Sequence, residues 1–291
     1  MFTGIIPAII TPFTTDQQID EPALRRHIQW MIDSGVHGMV PCGTTGEAGA
    51  LSAEEYARVI RITVEEARGR VPVIAGAGAN ITAKAVALTQ EISELGVDGL
   101  LHVTPYYNKP TPEGLYQHFA AVAHATKLPI ILYNVPGRTG VNMSPETVAR
   151  LAGIANIVGL KDASASLPQA TEIMRLVPKK FALLSGEDAL NYPLYAIGYH
   201  GTISVSANVA PVQSVQQWNA WKNGDVATAQ RLHHTLGALC RDLFLESNPI
   251  PVKTALSLMN RCHEIWRLPL CAMQPANRER LRSTLRATGV E

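Results

Sequence analysis

An alternation repeated eight times constrains this chain more than any other feature. Short apolar runs cover residues 5–12, 38–42, 72–76, 99–104, 129–134, 157–161, 181–185 and 201–205, and stretches of helical periodicity lie between them. The runs show little apolar–polar alternation, as expected of parallel strands covered on both faces. The helical stretches carry start and stop signals. Asp20 precedes residues 21–34, with Pro22 in the first turn. Ser52-Ala53-Glu54-Glu55 is a capping box at the head of residues 52–69, and Gly96 follows residues 82–95. Residues 111–126, 144–153, 167–176, 189–199 and 211–223 complete the set. Eight strand–helix units joined by right-handed crossovers imply an α/β fold closed as a (β/α)8 TIM barrel. The alternative, an open doubly wound sheet, is disfavoured because no Gly-rich dinucleotide turn follows the first run. Past Gly224 the runs stop, and residues 225–246, 251–259 and 277–287 read as helices. The expected division is a barrel over residues 1–224 and a C-terminal helical subdomain over 225–291.

Charge and cysteine usage narrow the function classes. The net charge is +1, and no basic run exceeds Pro178-Lys179-Lys180, so neither nucleic acid nor an anionic membrane surface is an expected partner. The first residues lack the basic and apolar segments of a signal peptide, and no run approaches the ~18 apolar residues of a membrane span. Cys42, Cys240, Cys262 and Cys271 form no CxxC pair and have no zinc-like spacing to histidine. A cytoplasmic protein with free thiols and no metal is the expectation, with Cys42 as a small buried filler.

In a barrel the chemistry gathers at the C-terminal strand ends and the loops after them. Lys161 closes the apolar run Ile157-Val158-Gly159-Leu160. A lysine there either snorkels to solvent or loses its charge to desolvation and serves as an amine nucleophile toward a carbonyl. The other strand ends favour the second course. Gly43-Thr44-Thr45-Gly46-Glu47 is a plain turn or a nest of backbone N–H groups for a carboxylate. Thr104-Pro105-Tyr106-Tyr107-Asn108-Lys109-Pro110 places paired tyrosines where they can pack at an interface. Tyr133 stands one strand from Lys161 and can shuttle protons to a carbinolamine. Arg138, in Val135-Pro136-Gly137-Arg138-Thr139-Gly140, makes either a surface salt bridge or a bidentate carboxylate contact. Glu187 and Asp188 are a carboxylate pair or helix N-terminal acids. An amine, a phenol, an anion nest and a guanidinium suit metal-independent carbonyl chemistry on a keto acid: Lys161 forms an imine, and the derived enamine is a carbon nucleophile. Arg138 then receives the carboxylate of a second substrate.

The motifs Gly43-Thr44-Thr45-Gly46-Glu47, Tyr133-Asn134-Val135-Pro136-Gly137-Arg138-Thr139-Gly140 and the Lys161 strand resemble the dihydrodipicolinate synthase family, a branch of the pyruvate-dependent class I aldolases that also include N-acetylneuraminate lyase. The likeness extends through Gly114-Leu115-Tyr116-Gln117-His118-Phe119, Ser206-Ala207-Asn208-Val209-Ala210-Pro211 and Glu246-Ser247-Asn248-Pro249-Ile250-Pro251-Val252-Lys253. The resemblance implies condensation of pyruvate with L-aspartate 4-semialdehyde in lysine and diaminopimelate biosynthesis, with no cofactor beyond a covalent imine on Lys161. It implies a proton relay of Tyr133, Thr44 and Tyr107, the last donated by a neighbouring subunit of a homotetramer built as a dimer of dimers. It further implies that Thr45 helps hold the pyruvate carboxylate, that Arg138 receives the carboxylate of the semialdehyde, and that Gly186 and Ile203 lie near the lysine. A sister aldolase or dehydratase acting on another carboxylated aldehyde or a sugar acid is the alternative, raised because Asp162-Ala163-Ser164-Ala165 stands where synthases more often show Glu-Ala-Thr-Gly. A silent binding homologue is disfavoured by the intact set Lys161, Tyr133, Thr44, Tyr107 and Arg138. Of the family's lysine-effector site, Asn80 and Tyr106 match, whereas Lys84 replaces a glutamate and Ala53 and Tyr56 replace histidines. A cation facing a cationic effector repels it, so feedback by lysine is expected to be weak or absent.

Overall fold

In the computed structural model residues 2–290 are described; Met1 and Glu291, the outermost residues of the two expected divisions, lie outside them. Seven parallel strands form one sheet: β1 (Gly4–Pro7), β2 (Ile74–Gly76), β3 (Gly99–Val103), β4 (Ile130–Asn134), β5 (Ile157–Asp162), β6 (Ala182–Ser185) and β7 (Gly201–Ser204). Their spatial order is β1-β7-β6-β5-β4-β3-β2. All but one of the expected runs therefore become strands, each shorter than or close to its apolar run.

The exception is the run at residues 38–42, which makes only isolated bridges, Val40 to Ala8 and Met39 to Val73. Pro41 has no N–H for a ladder, and Cys42 turns left-handed at φ 54°. Met39 and Val40 nevertheless span the gap between the sheet's edges. Val40 N donates to Pro7 O and Val40 O accepts Ile9 N, while Met39 N donates to Pro72 O and Met39 O accepts Ile74 N. Hydrogen bonds thus run from β1 through residues 39–40 to β2, and the sheet curls back on itself.

The helices lie where their caps predict. Asp20 accepts Ala23 N ahead of Glu21–Asp33, and Ser52 and Glu55 make both bonds of the capping box ahead of Ala53–Ala67. The segment expected as one helix over residues 189–199 is a 3-10 turn, Asp188–Leu190, followed by Asn191–Ala196. The loop after β4 is not a loop throughout: Pro136–Thr139 forms one helical turn, stopped by Gly140 at φ 75°.

Alternation along each strand sorts its residues between two cores. Ile5, Leu100, Leu132, Leu160 and Leu183 join the cluster under the helices. Ile6, Val40, Ile74, Leu101, Ile131, Leu184 and Ile203 form a second cluster on the concave face, one residue from nearly every position round the ring. This parity fixes the site, because Tyr133 and Lys161 follow Leu132 and Leu160 and so face inward. A third cluster joins Leu236, Leu239, Leu243, Val252, Leu256, Leu281 and Leu285 of the last helices to Ile10, Val205 and Val209.

Candidate active site

The strand ends open into a cavity of about 840 Å³ lined by Thr44, Thr45, Glu47, Tyr133, Arg138, Lys161, Gly186, Glu187 and Asn248, among others. β4 and β5 pair with Tyr133 directly opposite Lys161, so two residues far apart in sequence stand side by side. The Lys161 Nζ lies 4.2 Å from the centroid of the Tyr133 ring. Lys161 is 6% exposed, so it does not snorkel. Burial lowers its ammonium to about 8, opposed by the charge of Asp188 and assisted by that of Arg138. The neutral fraction at pH 7 thereby rises from about one in three thousand to about one in ten. Burial moves Tyr133 the other way, up to about 12, while Arg138 and a hydrogen bond with Thr44 pull it down. A phenol held neutral beside an amine that is neutral about one time in ten at pH 7 can both give and take a proton.

Gly186 makes room for the lysine. A Cβ there would lie 2.9 Å from Ala163 Cβ and 3.1 Å from Lys161 Cγ. Ile203 is buried in the inner cluster, below the cavity rather than on its wall. Glu187 and Asp188 differ in surroundings, although the charge of Asp188 adds to burial in raising the Glu187 carboxyl. Asp188 accepts the backbone N–H of Val205 and Ser206 at 2.9 and 2.7 Å, whereas Glu187 lines the cavity and burial raises its carboxyl above the ordinary range. Of the four residues after Lys161, only Ala163 reaches the cavity wall. Asp162 instead accepts the Tyr199 hydroxyl at 3.0 Å and Ser164 N at 2.9 Å. Ala163 is also the residue of the common synthase pattern, so the three departures, Asp162, Ser164 and Ala165, lie off the cavity wall.

The Gly43–Gly46 segment is a folded turn that still leaves donors free. Gly46 N donates to Gly43 O and Glu47 N to Thr44 O, while Thr11 Oγ1 donates to Gly46 O at 2.7 Å. The N–H groups of Thr44 and Thr45 take no partner among the described residues. The turn can sit this close to β2 because Gly76 has no Cβ: one would lie 2.1 Å from Cys42 O. Cys42 itself is 2% exposed and all four thiols are free, as expected.

The far wall comes from the C-terminal helices, which contribute residues the strand-end motifs did not include. Asn248 Nδ2 donates to Thr45 Oγ1 at 2.9 Å, and Arg138 donates to Asn248 O at 3.3 Å. Arg267 donates to Glu55, Gln17 O and Ala50 O. Leu268, Pro269 and Leu270 complete the rim. Lys253 was the available signal: it is a single charge in the otherwise uncharged helix Ile250–Leu258.

Tyr107 is the one expected relay residue not brought to the cavity. Its ring is 90% exposed, although its N–H is tied to Thr139 O, next to Arg138. Among the described residues no three His, Cys, Asp or Glu are grouped to hold a metal ion.

Residues 1–288 match the model of the dihydrodipicolinate synthetase family. A 4-hydroxy-tetrahydrodipicolinate synthase of Thermodesulfovibrio yellowstonii is 50% identical, covering 100% of this chain and 99% of its own. The structure superposes on a chloride-inhibited dihydrodipicolinate synthase from Acinetobacter baumannii complexed with pyruvate, with TM-score 0.98, 44% identity and complete coverage of both chains. It superposes equally on the dihydrodipicolinate synthase of Thermotoga maritima, with TM-score 0.98, 40% identity and complete coverage of both.

Proposed function

The chain belongs to the dihydrodipicolinate synthetase family, and from that premise we propose that it is a class I, Schiff-base lyase that condenses pyruvate with L-aspartate 4-semialdehyde to 4-hydroxy-tetrahydrodipicolinate, in lysine and diaminopimelate biosynthesis. The frame is a (β/α)8 barrel in which residues 39–40 take the second strand position, with residues 1–224 as barrel and 225–291 as helical subdomain. The observation that carries the chemistry is the buried Lys161 opposite Tyr133, with its ammonium lowered to about 8.

The neutral Nζ of Lys161 attacks the keto carbon of pyruvate. Tyr133 delivers a proton to the resulting alkoxide, and loss of water from the carbinolamine leaves an iminium. The carboxylate of the imine rests on the free N–H groups of Thr44 and Thr45 and on the Thr45 hydroxyl. Loss of a methyl proton gives the enamine, whose carbon attacks the aldehyde of the second substrate. Arg138 holds that substrate's carboxylate, and an aldehyde lacking one leaves the guanidinium without that partner, which disfavours it. The substrate's own amine then displaces Lys161 from the imine carbon and closes the ring. No cofactor takes part. Thr44 links Tyr133 to Tyr107, and the exposed Tyr107 enters the cavity of a neighbouring copy in a homotetramer. Gly186 and Ile203 shape the space around the lysine. Lysine feedback is weak, because Lys84 repels the effector and the Tyr56 hydroxyl is committed to Gly76 O at 2.7 Å. No described helix is long and apolar enough to cross a membrane, and the enzyme works in the cytoplasm without nucleic acid.

The test is a coupled assay with pyruvate and aspartate semialdehyde, following NADPH oxidation by added dihydrodipicolinate reductase, together with borohydride trapping. Turnover plus a pyruvate adduct on Lys161 is expected. An adduct without turnover moves the substrate to another aldehyde, and no adduct ends the Schiff-base reading.

A further inference from the structure

Two charged groups that the chemistry above does not use are buried more completely than Lys161. Lys253 Nζ lies 2.6 Å from Glu47 Oε1, and the two side chains are 0% and 1% exposed. The ammonium also sits 4.2 Å from the centroid of the Phe13 ring. The second carboxylate oxygen accepts Arg267 N at 3.4 Å. Burial holds the Lys253 ammonium below the ordinary lysine range, with Glu47 opposing the shift.

Such a pair is weak support for stability, because desolvating both charges offsets their attraction, and apolar replacements of like volume are often neutral or better. Its placement gives it another role. Glu47 ends the turn that carries Thr44 and Thr45, and it does so left-handed at φ 53°, a conformation a residue with a Cβ seldom adopts unless its surroundings impose it. The turn between them is bounded by two glycines and has little local preference of its own. Lys253 and Asn248 lie on one segment of the C-terminal helices. Lys253 grips the last residue of the turn, and Asn248 grips Thr45 two residues earlier.

We propose that Glu47 and Lys253 are positioning residues for the condensation: their ion pair lets the C-terminal helices set the conformation of the Thr44–Thr45 turn, and so the donors offered to the keto acid's carboxylate. The proposal rests on the Schiff-base reading above. It predicts that the pair governs pyruvate binding more than the covalent step.

The experiment compares the parent with the Glu47→Gln/Lys253→Met double variant, which removes both charges and nearly keeps the volume. Thermal midpoint, KM for pyruvate, kcat and borohydride trapping at saturating pyruvate are measured on each. The single variants should lose stability because each strands a buried charge. The double variant should recover most of it, yet show KM for pyruvate raised roughly ten- to hundredfold, as small misplacements of binding groups do. Its kcat should fall less, and Lys161 should still trap. A folded double variant with parental KM overturns the proposal and leaves the Schiff-base reading intact, whereas a parent that forms no adduct overturns both. Should the double variant not fold, Lys253→Arg is assayed below its own midpoint. It keeps the charge but changes the reach, so raised KM supports the role and parental KM refutes it.

Discussion

Lys161 and Tyr133 meet because β4 and β5 are hydrogen-bonded neighbours in register, whereas Thr45 and Arg138 are held by Asn248 from 203 and 110 residues away. Both pairs line one cavity, but they are built by different physics. The first pair inherits its geometry from a ladder whose register is fixed by burial: slipping one residue would turn the lysine into the outer core and Leu160 inward. The second is carried by a turn bounded by glycines and by a one-turn helix, both bonded to Asn248 of the C-terminal segment. The rigid half suits the covalent chemistry, and the half assembled from distant segments suits recognition of the carboxylates.

This contrast can be broken from either side. Lys161→Ala should have the largest effect, a loss of at least about a thousandfold in kcat with no borohydride adduct, because no other buried amine faces the carbonyl. A variant that keeps its turnover would remove the ladder half from the chemistry altogether. Tyr133→Phe should lower kcat by about a hundred- to ten-thousandfold, the range of a lost general acid–base, with little change in thermal midpoint. Steady-state kinetics beside a melting curve separates that from misfolding.

The pH dependence of imine formation sharpens the same half. Since the nucleophile is the neutral amine and burial lowers the ammonium to about 8, kcat/KM for pyruvate should rise with pH, about tenfold from pH 7 to 9, and level off above that. A profile still climbing at pH 10 would mean that Lys161 is solvated in the working enzyme. The smallest effect belongs to the other half. Asn248→Ala removes one hydrogen bond to Thr45 and should raise KM for pyruvate by roughly three- to tenfold while leaving kcat nearly unchanged. A fall in kcat with KM unmoved would mean that the two halves are not separable in this way.

How much was legible follows the same division. The strands, most helices and the placing of Lys161 and Tyr133 at neighbouring strand ends are legible because apolar runs and caps are local properties. The second strand was misread because an apolar run says nothing of the ladder bond lost at Pro41 or the left-handed turn at Cys42. Asp162 stands in the sequence among the departures that raise another substrate, and only the fold shows its carboxylate turned to Tyr199. Resemblance placed Thr45 and Arg138 at the substrate without giving what holds them there.

By itself the sequence determined the strand–helix alternation, the face on which Lys161 and Tyr133 lie, and through its motifs the chemistry to expect of them. The tertiary structure alone decided that Lys253 pairs with Glu47 and that Asn248 reaches Thr45 and Arg138. The physical reason is range. Periodicity and capping are set by residues within a few positions of one another, whereas those contacts join segments that become neighbours only once the sheet has curled and the last helices have packed against it.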